Sequence, residues 1–197
     1  MEAPSQEKTC HGNLWLDIAD FHLRPIRLSD CRAIAFHGSH AKVARYMAGP
    51  FPHPYTEAAA NAWLREIVGQ DPVLQFAIAG KGGLIGCIGL DPGEDVRDHE
   101  AELGYWLAVP YWGLGIATAA VKTITHYAFT RLGLVRVFAG VFANNCASIR
   151  VLEKAGFQME GSLRKSIYKH GRYWDQWIYG RLRRDLNGTP KLPNREE

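Results

Sequence analysis

Two glycines, Gly113 and Gly115, stand between a strand-like run and a helix-like run in Tyr111-Trp-Gly-Leu-Gly-Ile-Ala-Thr118. A strand, a glycine-bearing turn and a helix N-terminus in that order bring several free backbone N–H groups to one point. The helix dipole adds partial positive charge there, so the chemistry on offer is the binding of a phosphate or pyrophosphate. Two glycines after a strand also occur in plain loops, so the ligand needs further argument. The chain lacks G-x-x-x-x-G-K-[ST], which excludes a nucleoside-triphosphate P-loop. It also lacks G-x-G-x-x-G with an acidic residue about twenty positions on, which disfavours a dinucleotide fold. Protein-kinase signatures are absent as well. The preceding strand, read as Glu102 to Val109 and stopped by Pro110, carries Glu102 on the same face as Gly104 and Trp106. Glu100 would share that face nearer the exposed strand start. A carboxylate in a partly buried groove has its pKa raised, as a proton acceptor requires. A charge paired with an arginine is the equally available structural reading.

Positioning such a turn takes a sheet and helices, and the patterning supplies both. Phe21 to Leu28 alternates as a strand, and Ser29-Asp30 caps a helix to about His37. A short helical piece, Ala41 to Met47, runs into Gly-Pro-Phe-Pro-His-Pro-Tyr (49–55), whose three prolines suit only a loop. Thr56 is an N-cap for a helix over Glu57 to Val68, closed by Gly69. Leu74 to Ala79 and Leu84 to Leu90 form a hairpin about a glycine turn, followed by a polar turn at 91–95. The helix from Ile116 has a clear apolar face in Ile116, Ala117, Ala120, Val121, Ile124 and Ala128. A strand over Leu134 to Val141, a helix over Ala147 to Ala155, and a strand pair (Phe157 to Arg164, Tyr173 to Leu182) complete the pattern. The order describes an α+β (mixed α/β) fold with an antiparallel front half. Residues 1–20 read as an N-terminal arm, 21–185 as one domain and 186–197 as a frayed tail.

Bulk composition narrows the partners. The 197 residues have ordinary globular composition, with 47% hydrophobic and 22% charged residues. A net charge of +3 fits an anionic ligand but is too weak to argue for nucleic acid. Four cysteines without metal-binding spacing read as reduced thiols of a cytoplasmic protein, with no metal. No signal peptide and no membrane span is evident.

Two distant stretches then combine. Ala101-Glu-Leu-Gly-Tyr-Trp-Leu through Tyr111-Trp-Gly-Leu-Gly-Ile-Ala-Thr is the first, and Asn145-Cys-Ala-Ser-Ile-Arg-Val-Leu-Glu-Lys-Ala-Gly-Phe157 is the second. Together they resemble the GNAT N-acetyltransferase superfamily, in its ribosomal-protein Nα-acetyltransferase (RimJ/RimL-type) branch. The opening Leu-Arg-Pro-Ile-Arg-Leu-Ser-Asp and the closing Tyr173-Trp-Asp-Gln-Trp-Ile-Tyr look like the same branch. The resemblance covers roughly residues 21 to 185. It implies a mostly antiparallel twisted sheet flanked by helices, with a splayed strand pair at the coenzyme A site, and acetyl-CoA as donor.

By that resemblance Leu107, Ala108 and Val109 would lie along the pantetheine arm, with a β-bulge N–H polarising the thioester. Trp112, Gly113, Leu114, Gly115, Ile116, Ala117 and Thr118 would hold the pyrophosphate. The family's loop usually begins with Gln or Arg where this chain has Trp112. Asn145 resembles the family's CoA-contacting asparagine, and as a residue it also reads as a plain N-cap. Many members place a tyrosine acid where this chain has Leu152, so that role is vacant. The branch's substitute carries onto Ser148, as a CoA contact and proton donor, against simple helix capping. Glu102 is the best base, and Asp175 is weaker. His53, His99 and His170 fall in loop-like segments, where a surface histidine is the default. Tyr46 to Tyr55 and Tyr168 to Trp174 are expected to wall the acceptor site, or alternatively to build an interface or hairpin core.

The implied activity is direct acetyl transfer to a primary amine. A protein N-terminus competes with polyamines, amino acids or aminoglycosides as acceptor, and a CoA-binding sensor without catalysis is the alternative of another class. Monomer and homodimer both remain open, with no membrane or nucleic-acid partner expected.

Overall fold

The computed structural model describes residues 14–15, 21–47 and 51–186; the expected arm and tail lie largely outside them, as do positions 48–50. Among the described residues, eight strands form one sheet in the order β1-β2-β3-β4-β5-β6-β8-β7. They are β1 (Leu14–Trp15), β2 (His22–Pro25), β3 (Gln75–Gly80), β4 (Gly83–Pro92), β5 (Glu100–Leu107), β6 (Arg136–Phe142), β7 (Gln158–Lys169) and β8 (Arg172–Leu182). The helices are α1 (Cys31–Gly38), α2 (Ala41–Ala44), α3 (Glu57–Ile67), α4 (Ile116–Thr130) and α5 (Cys146–Lys154). Every strand pairing is antiparallel except β5 with β6.

Alternation along β3 and β5 feeds two hydrophobic clusters. One contains Ala101, Leu103 and Leu107 of β5 with the apolar face of α4 (Ile116, Ala120, Val121, Ile124, Ala128) and Ile149 and Leu152 of α5. The other holds Trp106 with Ile34 of α1 and Ala60 and Leu64 of α3. Burying a side chain the size of Leu64 contributes about 1.5–3 kcal/mol, so these faces fix which side of the sheet each helix covers. Thr56 Oγ1 accepts from Ala59 N at 3.2 Å, as an N-cap should. Asn145 Oδ1 does the same for Ser148 N at 3.3 Å.

Several boundaries differ from the sequence reading, each for a local reason. Asp30 does not cap α1 with its side chain. Its carboxylate is taken by the Arg24 guanidinium in two bonds of 2.7 Å and by Arg27 N at 2.9 Å, in a buried pair that ties β2 to α1. Leu28–Asp30 is a 3-10 turn, so β2 ends at Pro25. β5 begins at Glu100 and ends at Leu107, two residues earlier at each end than expected. Ala108 N still donates to Ile85 O at 2.8 Å, but Val109–Tyr111 then coils into a 3-10 turn around Pro110. Asp91 and Pro92 extend β4 rather than form a turn. β7 runs on to Lys169 through two register shifts, and so the final hairpin is longer than read.

Candidate active site

β5 keeps one unbroken register with β4 from Gly86↔Leu107 to Pro92↔Ala101. Its pairing with β6 covers only Glu100↔Arg136, Ala101↔Val137 and Glu102↔Phe138. Beyond Glu102 the parallel neighbours part, leaving a slot through the sheet. In an antiparallel ladder both polar groups of a residue point to the same side, and the side alternates. Ala108 N points to β4, so the peptide groups of Leu103, Tyr105 and Leu107 face the slot. The bulge implied by the family resemblance is not present in β5; the parting of β6 exposes these backbone groups instead. Leu107 O is already engaged, accepting from the indole Nε1 of Trp112 at 2.6 Å.

The slot opens into a cavity of about 1130 Å³ that reaches both sides of the sheet. At the α4 end, Gly113 and Gly115 both have φ +79°, in the left-handed region that glycine adopts without strain. Gly115 is the N-cap of α4 and supplies no side chain, and the first turn carries no acidic residue. The first intrahelical acceptor there, Gly115 O, serves Ala119 N, so the preceding N–H groups are free for an anion. A Cβ built at Gly113 or Gly115 would meet no protein atom within 4 Å. The turn therefore fits a pyrophosphate: it has unspent donors, dipole charge and clear space in front of both glycines. Trp112, Gly113, Gly115, Ile116, Ala117, Thr118, Leu107, Asn145 and Ser148 all line the cavity. Ala108, Val109 and Leu114 do not: Ala108 N is spent on Ile85, Val109 packs on the second cluster, and Leu114 is exposed.

Glu102 and Ser148 enter this cavity from different elements. Glu102 shares its face with Gly104 and Trp106, opposite Asp91 of β4. It is accessible through the cavity mouth, yet the surrounding walls desolvate it and raise its carboxyl pKa. Nearby Asp91 raises it further, and the Gly140 backbone N–H pulls it down. Ser148 Oγ lies 2.7 Å from Tyr105 Oη, a pairing not read from the sequence. Burial pushes the Tyr105 hydroxyl up to about 12, with the Ser148 hydrogen bond acting the other way. Tyr105 thus stays protonated through the neutral range. Its signal was available in the alternation, which puts Tyr105 on the α5 side with Leu103 and Leu107. Leu152 is fully buried, consistent with packing in place of the family's tyrosine.

The other proton-carrier candidates are occupied elsewhere. Glu100 is buried, not exposed, and is paired with Arg136 and, at 3.8 Å, with Arg97. Asp175 Oδ1 accepts from Lys165 N at 2.8 Å, bracing a backbone at φ +52°. His99 lies on the surface 3.8 Å from Asp98, and His53 and His170 line a separate cavity. Of the expected aromatic walls, Tyr46, Met47, Phe51, Pro52 and Tyr55 do line the main cavity. Tyr168 and Tyr173 do not; they turn outward and meet each other at 4.9 Å. Ile167 and Gln176 of the same hairpin face the cavity in their place. Arg150 and Lys154 of the second motif also reach it, as do Glu66 and Asp91, which carried no motif by which to be found.

A family model described as "Acetyltransferase (GNAT) domain" matches residues 20–158. The chain belongs to the GNAT acetyltransferase family. It is an acetyl-CoA-dependent N-acetyltransferase. Among its relatives is "Uncharacterized N-acetyltransferase YoaA" of Bacillus subtilis, 40% identical over 49% of this chain and 54% of that protein, so the chain spans about half of that relative. "Putative ribosomal N-acetyltransferase YdaF" of the same organism is 34% identical over 68% of this chain and 72% of its own length. "Spermidine N(1)-acetyltransferase" of Escherichia coli is 29% identical over 77% and 80%. Two solved structures share the fold. Mycobacterium smegmatis RimJ in complex with CoA-disulfide has a TM-score of 0.78, 22% identity and coverage of 90% of this chain and 89% of that one. Spermidine N-acetyltransferase from Vibrio cholerae, in complex with CoA and spermine, has a TM-score of 0.73, 24% identity and coverage of 86% and 99%.

Proposed function

We propose that this GNAT enzyme acetylates the α-amine at the N-terminus of a polypeptide, with Glu102 as the base and Ser148, backed by Tyr105, as the acid. Acetyl-CoA supplies an activated acetyl thioester when bound. The observation that carries the reading is the slot: Glu102 reaches it from the α3 side, and the Tyr105–Ser148 pair from the α5 side. An amine and a thioester admitted from opposite faces meet there without crossing the protein.

Glu102, with its raised pKa, takes the proton that the acceptor nitrogen must lose as the N–C bond forms. Ser148 Oγ gives a proton to the sulfur as the C–S bond breaks and takes one from the Tyr105 hydroxyl at 2.7 Å; water entering the cavity returns that proton to Tyr105, and Glu102 releases the amine's proton to solvent. No side chain need carry the acetyl group. The slot-facing N–H groups of Leu103, Tyr105 and Leu107 are the donors available to a developing oxyanion. The wide apolar wall of Met47 and the aromatic rings of Tyr46, Phe51, Trp63 and Phe142 suits the body of a peptide behind the amine.

A small polyamine is the second reading, favoured by the carboxylates of Glu66, Asp91 and Glu102 around the acceptor end. An acceptor screen with acetyl-CoA, read by release of free thiol, separates the two. N-terminal peptides should give turnover well above spermidine and spermine. The reverse ranking would replace the peptide reading with the polyamine one.

A further inference from the structure

Beyond the acceptor wall lies a second cavity, of about 350 Å³, bounded by Arg45, His53, His170, Arg172 and Trp174. It shares Tyr46 and Phe142 with the main cavity, so one aromatic edge separates the two. None of its described lining residues is acidic, and four carry a guanidinium or an imidazole. Both guanidiniums are held in place by stacking. Arg45 lies 5.1 Å from the Tyr46 ring centre and Arg172 lies 4.9 Å from that of Trp174. Neither forms an ion pair among the described residues. Behind the cavity's Ala44, the Lys169 ammonium is anchored on the carbonyls of Ala44 (2.8 Å) and Met47, adding a fixed positive charge.

The two cavities therefore have opposite character. The acceptor end of the main one carries three carboxylates, Glu66, Asp91 and Glu102, against one ammonium, Lys42, and the second is cationic. The pyrophosphate turn takes no part in the second, so a role in holding the donor's phosphates does not explain it. A ligand that straddles the Tyr46–Phe142 edge should be cationic at its reacting end and anionic behind it. A polypeptide with a free N-terminal amine and carboxylates a few residues downstream has this distribution; a polyamine, positive throughout, does not. Planar guanidiniums held over rings also suit bidentate contact with carboxylates.

We propose that the second cavity is a docking site for acidic side chains of the acceptor polypeptide, engaging residues that follow the amine held in the main cavity. The proposal deepens the peptide reading and rests on it for the meaning of the site, while binding at the site can be measured apart from turnover.

The test uses two peptides with the same first three residues, one continuing in Asp and Glu and the other in Asn and Gln. Two exposed charge contacts predict a KM roughly five- to tenfold lower for the acidic peptide at low salt, with kcat little changed. The advantage should fade as salt rises and should vanish in Arg45→Gln/Arg172→Gln. Binding alone is read with the acidic peptide acetylated at its N-terminus, titrated against the intrinsic fluorescence to which Trp174 contributes. The wild type should bind it and the double variant should not. If the blocked acidic peptide binds in this Arg-dependent way but no peptide is acetylated, the docking site stands and the acceptor reading falls. Equal affinity for the acidic and neutral peptides overturns the proposal. So does binding that survives the double substitution, or Arg-dependent binding of a single-stranded oligonucleotide in preference to the acidic peptide. Should the double variant fail to fold, each single variant and the salt titration of the wild type decide the same question.

Discussion

β5 has two edges, and they behave differently. Against β4 it holds seven consecutive pairs in one register; against β6 it holds three and then stands free. The closed edge makes the strand rigid, and the open edge leaves its backbone groups to a ligand. A site on the open edge of a strand locked on its other edge is preorganised, because the protein need not rearrange to present its donors. The two ends of the resulting cavity differ in a related way. The donor end is built from backbone: a left-handed turn, a bare helix N-terminus and slot-facing peptide groups. The acceptor end is built from side chains on α2, α3 and the 51–55 loop. Backbone sites tolerate side-chain change and side-chain sites do not, which is why a family can keep one donor and vary its acceptors.

The donor end is open to the largest perturbation. Gly115→Val places a branched side chain at φ +79° and in the space in front of the turn. We expect the KM for acetyl-CoA to rise about a hundredfold or more, the left-handed strain and the lost backbone grip acting together. Steady-state kinetics with circular dichroism to confirm folding checks this, and an unchanged KM would detach the turn from the donor.

The next largest effect lies at the proposed acid. Ser148→Ala and Tyr105→Phe should each lower kcat by about ten- to a hundredfold. The two act as one unit, so the double variant should be little worse than the worse single one. Multiplicative losses would mean that they serve separate steps.

A smaller change sharpens the acceptor end. Asp91 helps raise the Glu102 pKa, and its negative charge is removed in Asp91→Asn. The base works in its ionised form, so the rate of the wild type falls as pH drops through this raised value. Removing Asp91 lowers that value, and the acidic limb of the kcat/KM profile should move to lower pH. A limb that stays in place would show that another group is the titrating base.

Much of the backbone at the proposed donor end was legible in the sequence, because glycines mark special backbone directly. Gly113 and Gly115 in a left-handed turn and Asn145 as the cap of α5 both follow from local pattern. The helices were legible for the same reason, as with Thr56 capping α3. What was not legible depends on partners distant in the chain. The role of Glu100 is set by Arg136, which lies on a strand 36 positions later. The Tyr105–Ser148 bond spans 43 positions. Asp91 looked like a turn residue until the register placed it opposite Glu102. Tyr168 and Tyr173 are cross-strand partners on the face opposite Ile167, Trp174 and Gln176, and which face of the final hairpin meets the cavity is set by β6, its distant neighbour in the sheet.

The central claim is that one slot holds both reactants, with Glu102 taking the proton there. It is tested most directly by Glu102→Gln, measured for turnover with the best acceptor of the screen and for acetyl-CoA affinity by isothermal titration. The account predicts a loss of about 10²- to 10⁴-fold in kcat with the affinity for acetyl-CoA essentially unchanged. Full turnover in this variant would contradict it.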